Sequence, residues 1–245
     1  VGESGCGKTT TGKLLVKSMH ATGGEIYFKG QDITNLKDDD PEFRQSVQMI
    51  FQDPYESINP RMTVFDVISE PLQVHGLGSV EKREEEVAEM LDRVGLVPPS
   101  TFLFRYPHEL SGGQRQRVAI ARSMIIEPDF IVADEPTSML DVSIRTQIMR
   151  LMTEFQEKSN VGYLYITHDL AVARYLCSEI AVMYLGKLVE KGDTEKVTQN
   201  PKHPYTKALI SAVPVPDPTY KRERIQIRGG ISKPIEPEPR CRFYD

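Results

Sequence analysis

Short apolar runs alternate with longer amphipathic stretches along most of this chain. Residues 47–51, 130–133 and 161–167 read as strands, because each is apolar and bounded by polar or turn-forming residues. A further strand over residues 25–28 opens after Gly23-Gly24 and turns at Lys29-Gly30 like a hairpin. Apolar positions at helical intervals predict helices over residues 7–20, 64–95, 113–126 and 141–158. Strands alternating with helices imply a parallel α/β sheet covered on both faces. The helical block from Pro54 to Arg117 is then an inserted lobe, closed in part by Pro98-Pro99. Beyond Gly192 the composition turns proline-rich, with one short helical segment over residues 205–213 and a loop-like tail. Val1 reads as the last residue of a strand, so the chain is expected to start inside the fold.

Composition narrows the function classes. With 245 residues, 39% hydrophobic and 27% charged, the chain is long enough to bury a real core. Thirty basic against 35 acidic residues give a net charge of −5. The basic residues are scattered, which excludes wholesale nucleic-acid binding. No stretch approaches the roughly 20 apolar residues that span a bilayer. Cys6, Cys177 and Cys241 are odd in number and far apart, which argues against a disulfide framework and fits a reducing compartment. Lys37-Asp38-Asp39-Asp40 reads as a solvated turn with helix-capping carboxylates. Arg115, Arg117 and Arg122 read as an exposed helix face, and Lys221-Arg222-Glu223-Arg224 as a solvated tail.

The chemistry concentrates at strand ends. Gly2-Glu3-Ser4-Gly5-Cys6-Gly7-Lys8-Thr9 fits the phosphate-loop pattern in full. Its glycines let backbone N–H groups converge on phosphate oxygens, and the helix that follows points its positive end at the same anion. Gly2, Ser4, Gly5, Cys6, Gly7, Lys8, Thr9 and Thr10 are the predicted ATP contacts. Lys8 is expected to reach the β- and γ-phosphates, and the Thr9 hydroxyl to ligate Mg²⁺. Cys6 offers its backbone rather than its thiol, and ATP is expected to shield it from thiol reagents. After the apolar run 130–133, Asp134 would hold Mg²⁺ and Glu135 would serve as general base. Gln52, closing another strand, is placed to contact both Mg²⁺ and the attacking water. His168, after the run 161–167, is placed at the γ-phosphate.

A second glycine pair completes the set. Leu110-Ser111-Gly112-Gly113-Gln114, together with the phosphate loop, Gln52, Asp134-Glu135, the turn Ser138-Met139-Leu140-Asp141 and His168, resembles in order the motifs of ABC transporter ATP-binding subunits. The resemblance implies an α/β, P-loop (RecA-like) core with an inserted helical subdomain and a short Pro-rich C-terminal extension. The ATPase domain would cover residues 1–192, with its core at 1–53 and 118–192 and the helical subdomain at 54–117. The extension would cover residues 193–245 and be truncated. By the same resemblance Ser111, Gly112, Gly113, Gln114 and Asp141 contact ATP held by an opposite subunit. Met139 stands where the family usually carries Ala, and the family's adenine-stacking aromatic residue falls upstream of Val1.

Tyr106-Pro107-His108-Glu109 and the stretch from Asn200 to Leu209 are similar to the dipeptide/oligopeptide importer branch, which also includes nickel and sugar importers. That branch implies a second ABC ATPase subunit, identical or related, two transmembrane permease subunits and an extracytoplasmic substrate-binding protein. It implies a peripheral place on the cytoplasmic face of the membrane. Tyr55, Glu56, Ile58 and Asn59 are then candidates for permease contact. Cys241 reads either as a free tail cysteine, which the visible residues favour, or as the first ligand of an iron–sulfur cluster completed beyond Asp245. The alternative function is a soluble, non-transport ABC ATPase acting on DNA or ribosomes. Such proteins carry a second cassette, coiled-coil insertions or basic arms, against one cassette and an acidic balance here.

Overall fold

Side-chain oxygens start most of the helices among the described residues. Asp40, Asp53, Thr63, Ser79, Ser111, Asp169 and Asp193 each precede a helix and accept an N–H from its first turn. They fill part of the donor deficit with which every helix begins. The computed structural model describes residues 1–213, 241 and 243; the tail stretch Lys221-Arg222-Glu223-Arg224 lies outside the described residues.

In chain order the elements begin with α1 (Lys8–Leu15), β1 (Tyr27–Phe28), β2 (Gln31–Asp32), α2 (Pro41–Ser46), β3 (Val47–Ile50) and α3 (Pro54–Ser57). Then come α4 (Val64–Val74), α5 (Val80–Arg93), α6 (Gly112–Met124), β4 (Phe130–Asp134), α7 (Val142–Ser159) and β5 (Gly162–Ile166). The last are α8 (Leu170–Leu176), β6 (Glu179–Tyr184), β7 (Lys187–Asp193), α9 (Thr194–Gln199) and α10 (Pro204–Ala212). Contacts divide the chain into two compact units, residues 12–164 and residues 1–11 with the described residues from 165 on.

In the unit of residues 12–164, β3 runs parallel to β4 from Val47↔Phe130 to Ile50↔Ala133. Ile131, Val132, Ala133 and Asp134 are all buried, as a central strand covered on both faces requires. The hairpin foreseen at Lys29-Gly30 joins β1 to β2. The helical stretch foreseen over residues 64–95 is two helices. Pro71 withdraws a backbone donor late in α4, the chain turns through Gly76 and Gly78, and Ser79 caps α5 afresh. Val64, Val67, Ile68 and Leu72 of α4 and Val87, Met90 and Leu91 of α5 form buried stripes at helical spacing.

The arginines of α6 correct the sequence expectation of an exposed face. Arg115 is buried; its Nε donates to the Pro107 carbonyl, and its guanidinium lies 4.0 Å from the centre of the Tyr55 ring. Arg117 donates to the Val94 carbonyl and, at 2.9 Å, to Gln147 Oε1. Arg122 donates twice to Glu70 Oε2, at 2.7 and 3.1 Å. Each ties α6 to a different neighbour, and the long aliphatic stems bury while the heads find acceptors. Arg115→Ala is expected to lower stability by about 2–3 kcal/mol, since it strips a carbonyl of its donor and leaves a cavity. Urea unfolding measures this, and a loss below about 0.5 kcal/mol, the size of an ordinary surface change, would show that the brace carries no load.

In the other unit, β6 and β7 form an antiparallel hairpin from Glu179↔Asp193 to Tyr184↔Lys187, with Leu185 and Gly186 at positive φ in its turn. Neither strand is among those expected from the sequence. Val1 lies against β6: its amine donates to the Ala181 carbonyl at 2.7 Å, and its carbonyl accepts from the Met183 amide at 2.8 Å. Leu170, Ala173, Ile180, Val182, Val197 and Tyr205 make the core of this unit. Phe243 packs on its edge against Tyr184, His203 and Tyr205. No helix among the described residues is long and apolar enough to cross a membrane.

Candidate functional site

The phosphate loop is wrapped around its own lysine. Lys8 is 8% exposed, and its ammonium donates to the carbonyls of Gly2 at 2.7 Å and Glu3 at 3.0 Å. The Cys6 amide also bonds the Glu3 carbonyl, while the Cys6 carbonyl accepts from the Gly186 amide in the β6–β7 turn. Only glycine serves at position 2. Its φ is +152°, and a Cβ there would stand 2.3 Å from the Met183 carbonyl oxygen. Ser4, Gly5, Thr9 and Thr10 are exposed, and Gly7 is half-buried. The start of α1 is therefore open to an anion, with unpaired helix donors and the dipole's positive end together. Cys6 is buried, at 4% exposure.

His168 belongs to the same unit and is exposed on a short turn after β5. The Asp169 amide donates to Thr167 Oγ1 at 2.9 Å, and Asp169 Oδ1 accepts from the Ala171 amide to start α8. Both bonds fix the backbone that presents the imidazole.

In the unit of residues 12–164, parallel pairing brings two predicted residues together. Extending the Ile50↔Ala133 register two residues sets Gln52 opposite Glu135, and Gln52 Nε2 donates to Glu135 Oε2 over a long 3.4 Å. Asp134, at the end of β4, is buried. Glu135 is half-buried and has φ +45°, a left-handed conformation rare for a residue with a side chain. Its carbonyl accepts from both the amide and the hydroxyl of Ser138, which holds that backbone in place. Asp141 ends this turn as the N-cap of α7, exposed and without a side-chain bond into its own helix.

Thr9 in one unit, and Gln52 and Asp134 in the other, each carry a side-chain oxygen, the donor chemistry Mg²⁺ prefers. Among the described residues no group of three His, Cys, Asp or Glu side chains is placed to hold a metal ion, and Cys241 is a free, exposed cysteine.

Ser111 and Gln114 bind each other at the mouth of α6. Ser111 Oγ accepts from the Gln114 amide at 3.3 Å, and Gln114 Oε1 accepts from the Ser111 amide at 2.9 Å. This capping box fixes the serine hydroxyl at the positive end of a 13-residue helix. Ser111 and Gly112 are exposed. Gly113 is required by packing, since a Cβ there would lie 2.7 Å from Ile144 Cγ2 of α7.

Of the candidates for permease contact, Tyr55 is 64% exposed and Asn59 is exposed, whereas Ile58 is a core residue and leaves that list. The side chain of Glu56 lies outside the described residues. Sequence reasoning passed over Tyr205, whose hydroxyl accepts the Glu3 amide proton of the phosphate loop at 3.1 Å. Its only signal was membership of the stretch 200–209, noted there for likeness alone.

Residues 1–138 match the ABC transporter family, and residues 189–245 match the oligopeptide/dipeptide transporter C-terminal region. The chain is 48% identical over 248 residues to the oligopeptide transport ATP-binding protein AppF of Bacillus subtilis, covering 100% of this chain and 75% of the relative. It is 47% identical over 247 residues to the dipeptide transport ATP-binding protein DppF of Escherichia coli, covering 99% of this chain and 72% of the relative. Among solved structures it is similar to the dimeric, post-hydrolysis ATP-binding cassette MJ0796 bound to ADP and Pi. That likeness has a TM-score of 0.69 and 31% identity, over 79% of this chain and 83% of the other. A phosphate loop, a capped Ser-Gly-Gly helix and this breadth of likeness lead to one conclusion: the chain belongs to the ATP-binding proteins of the ABC transporter family, in the branch with the oligopeptide/dipeptide C-terminal region.

Proposed function

We propose that this chain is the ATP-binding and ATP-hydrolysing subunit that powers an ABC importer of dipeptides or oligopeptides. The observation that carries the reading is the match of residues 189–245 to the oligopeptide/dipeptide transporter C-terminal region, behind an intact cassette on the same chain. The same match speaks against an ATPase working on DNA or ribosomes.

In this reading Lys8, oriented by the Gly2 and Glu3 carbonyls, reaches the β- and γ-phosphates, which the loop amides also bind. Thr9, Gln52 and Asp134 hold Mg²⁺, which supplies positive charge to the phosphate oxygens. Glu135 orients a water and takes its proton on a carboxylate oxygen, while Gln52 fixes the carboxylate and His168 contacts the γ-phosphate. Ser111 Oγ already accepts an N–H from its own helix, so its proton remains to be donated to an ATP held by a second ATPase subunit. Gly112, Gly113, Gln114 and Asp141 serve that same partner nucleotide.

The ATPase domain is assigned to residues 1–192, with the helical subdomain at 54–117, and the extension to 193–245. The assembly joins two ATPase subunits, two permeases and an extracytoplasmic binding protein, with this chain peripheral on the cytoplasmic face. Exposed Tyr55, stacked on Arg115, suits the permease contact. Reconstitution with those partners in proteoliposomes is the test. Peptide-loaded binding protein is expected to raise ATP hydrolysis and drive peptide uptake. Stimulation by DNA or ribosomes instead, with no uptake of peptide, would sink the assignment.

A further inference from the structure

The peptide unit between Gly2 and Glu3 is held at both ends. Its carbonyl oxygen, that of Gly2, accepts the Lys8 ammonium at 2.7 Å. Its N–H, that of Glu3, donates to the Tyr205 hydroxyl at 3.1 Å. The orientation of this one peptide plane therefore decides where the lysine of the phosphate loop is kept, and a residue 202 positions away holds the plane's other end. An acceptor on the N–H also polarises the amide and strengthens the carbonyl as the lysine's partner.

Tyr205 has no freedom of its own. It is fully buried, at 0% exposure, with its ring 4.5 Å from that of Tyr184 and 6.1 Å from that of Phe243. Burial pushes its phenol up to about 12, so at neutral pH the hydroxyl is intact and uncharged. The chain entering α10 is pinned just before it. Glu190 of β7 accepts the amides of Lys202 at 2.8 Å and His203 at 3.0 Å, and His203 Nδ1 caps the Tyr205 amide at 3.2 Å. A fixed strand, a fixed helix start and a fixed ring thus deliver one hydroxyl to one amide of the phosphate loop.

We propose that Tyr205 is a positioning residue for the phosphate loop, through which the C-terminal extension sets the loop's affinity for ATP. The proposal rests on the ATPase reading above and adds to it a part for the extension. Lacking the hydroxyl, the Glu3 N–H loses its acceptor, the peptide plane is free to rotate, and ATP must order the loop as it binds. The effect falls on binding rather than on the chemical step, because the Tyr205 hydroxyl acts through the Glu3 amide of the loop.

The test uses the full-length protein. Tyr205→Phe keeps the ring and removes only the acceptor; ATP titration is expected to show affinity weakened ~3- to 10-fold, the size of one net hydrogen bond. KM for ATP should rise in step while kcat stays within about twofold, a split that mere loss of stability does not produce. Glu190→Ala, which frees the entry to α10, is expected to weaken ATP binding in the same direction. The double variant should then bind about as well as Tyr205→Phe alone, since both act through one bond. Wild-type affinity in both single variants would overturn the proposal, as would a lowered unfolding midpoint with ATP affinity unchanged. Should Tyr205→Phe fail to fold, wild-type affinity in Glu190→Ala suffices to overturn it and weakened affinity upholds it. Failure of the unaltered protein to bind or hydrolyse ATP would instead refute the ATPase reading.

Discussion

Glu135→Gln is expected to bind ATP and pair with a second ATPase subunit while its turnover falls by ~10²–10⁴, the usual worth of a general base. The substitution is isosteric, and its amide oxygen can still accept from Gln52 Nε2, so the 3.4 Å link across the ends of β3 and β4 is preserved. The left-handed backbone at position 135, φ +45°, is held by Ser138 through the main-chain carbonyl and does not depend on the carboxylate. What disappears is the carboxylate proposed to take a proton from water. Phosphate release measures the rate, and sedimentation in ATP measures the pairing. Near-normal hydrolysis would remove Glu135 from its role.

Ser111 allows a sharper experiment, because its two proposed duties can be separated. Its oxygen caps α6, and its proton is offered to a partner's nucleotide. Aspartate is as good a cap as serine but brings a negative charge to face the γ-phosphate. Ser111→Asp is therefore expected to keep the unfolding midpoint and the binding of ATP by the isolated monomer. Hydrolysis and ATP-driven pairing should fall by roughly 10²-fold or more, the loss typical of a misdirected transition-state contact. Ser111→Ala, by contrast, should cost about 1 kcal/mol of stability as well as activity. If Ser111→Asp abolished nucleotide binding by the monomer, the idea that the signature serves a second subunit would be wrong.

How much of this was legible in the chain follows from what each segment depends on. The runs before Gln52 and Glu135 declare themselves, since each is mainly apolar and closes on polar residues. Asp40 declares itself too, as a cap needs only its own helix. The arginines of α6 mislead for the opposite reason. A charged residue on a helix reads as solvated, and nothing near Arg115, Arg117 or Arg122 in sequence announces Pro107, Val94 or Glu70 as partners. Ile58 is a permease-contact candidate by the family resemblance alone, which carries no information on burial, and it folds into the core. In the β6–β7 hairpin, β6 opens on Glu179 and β7 is interrupted by Glu190 and Lys191, which blurs its alternation. Tyr205 is the hardest case, because its meaning lies in one amide at the far end of the chain.

That separation has a consequence in time. The phosphate loop leaves the ribosome early, whereas its walls come late: Val1 pairs with Ala181, 180 residues on, and Glu3 with Tyr205, 202 residues on. At ~5–20 residues per second, synthesis of that interval takes roughly 10–40 s. During it the loop has neither β6 to close against nor the tyrosine to hold its first peptide. A chain stalled short of α10 would carry every phosphate-loop residue and β6, yet still lack the hydroxyl that holds the Glu3 amide.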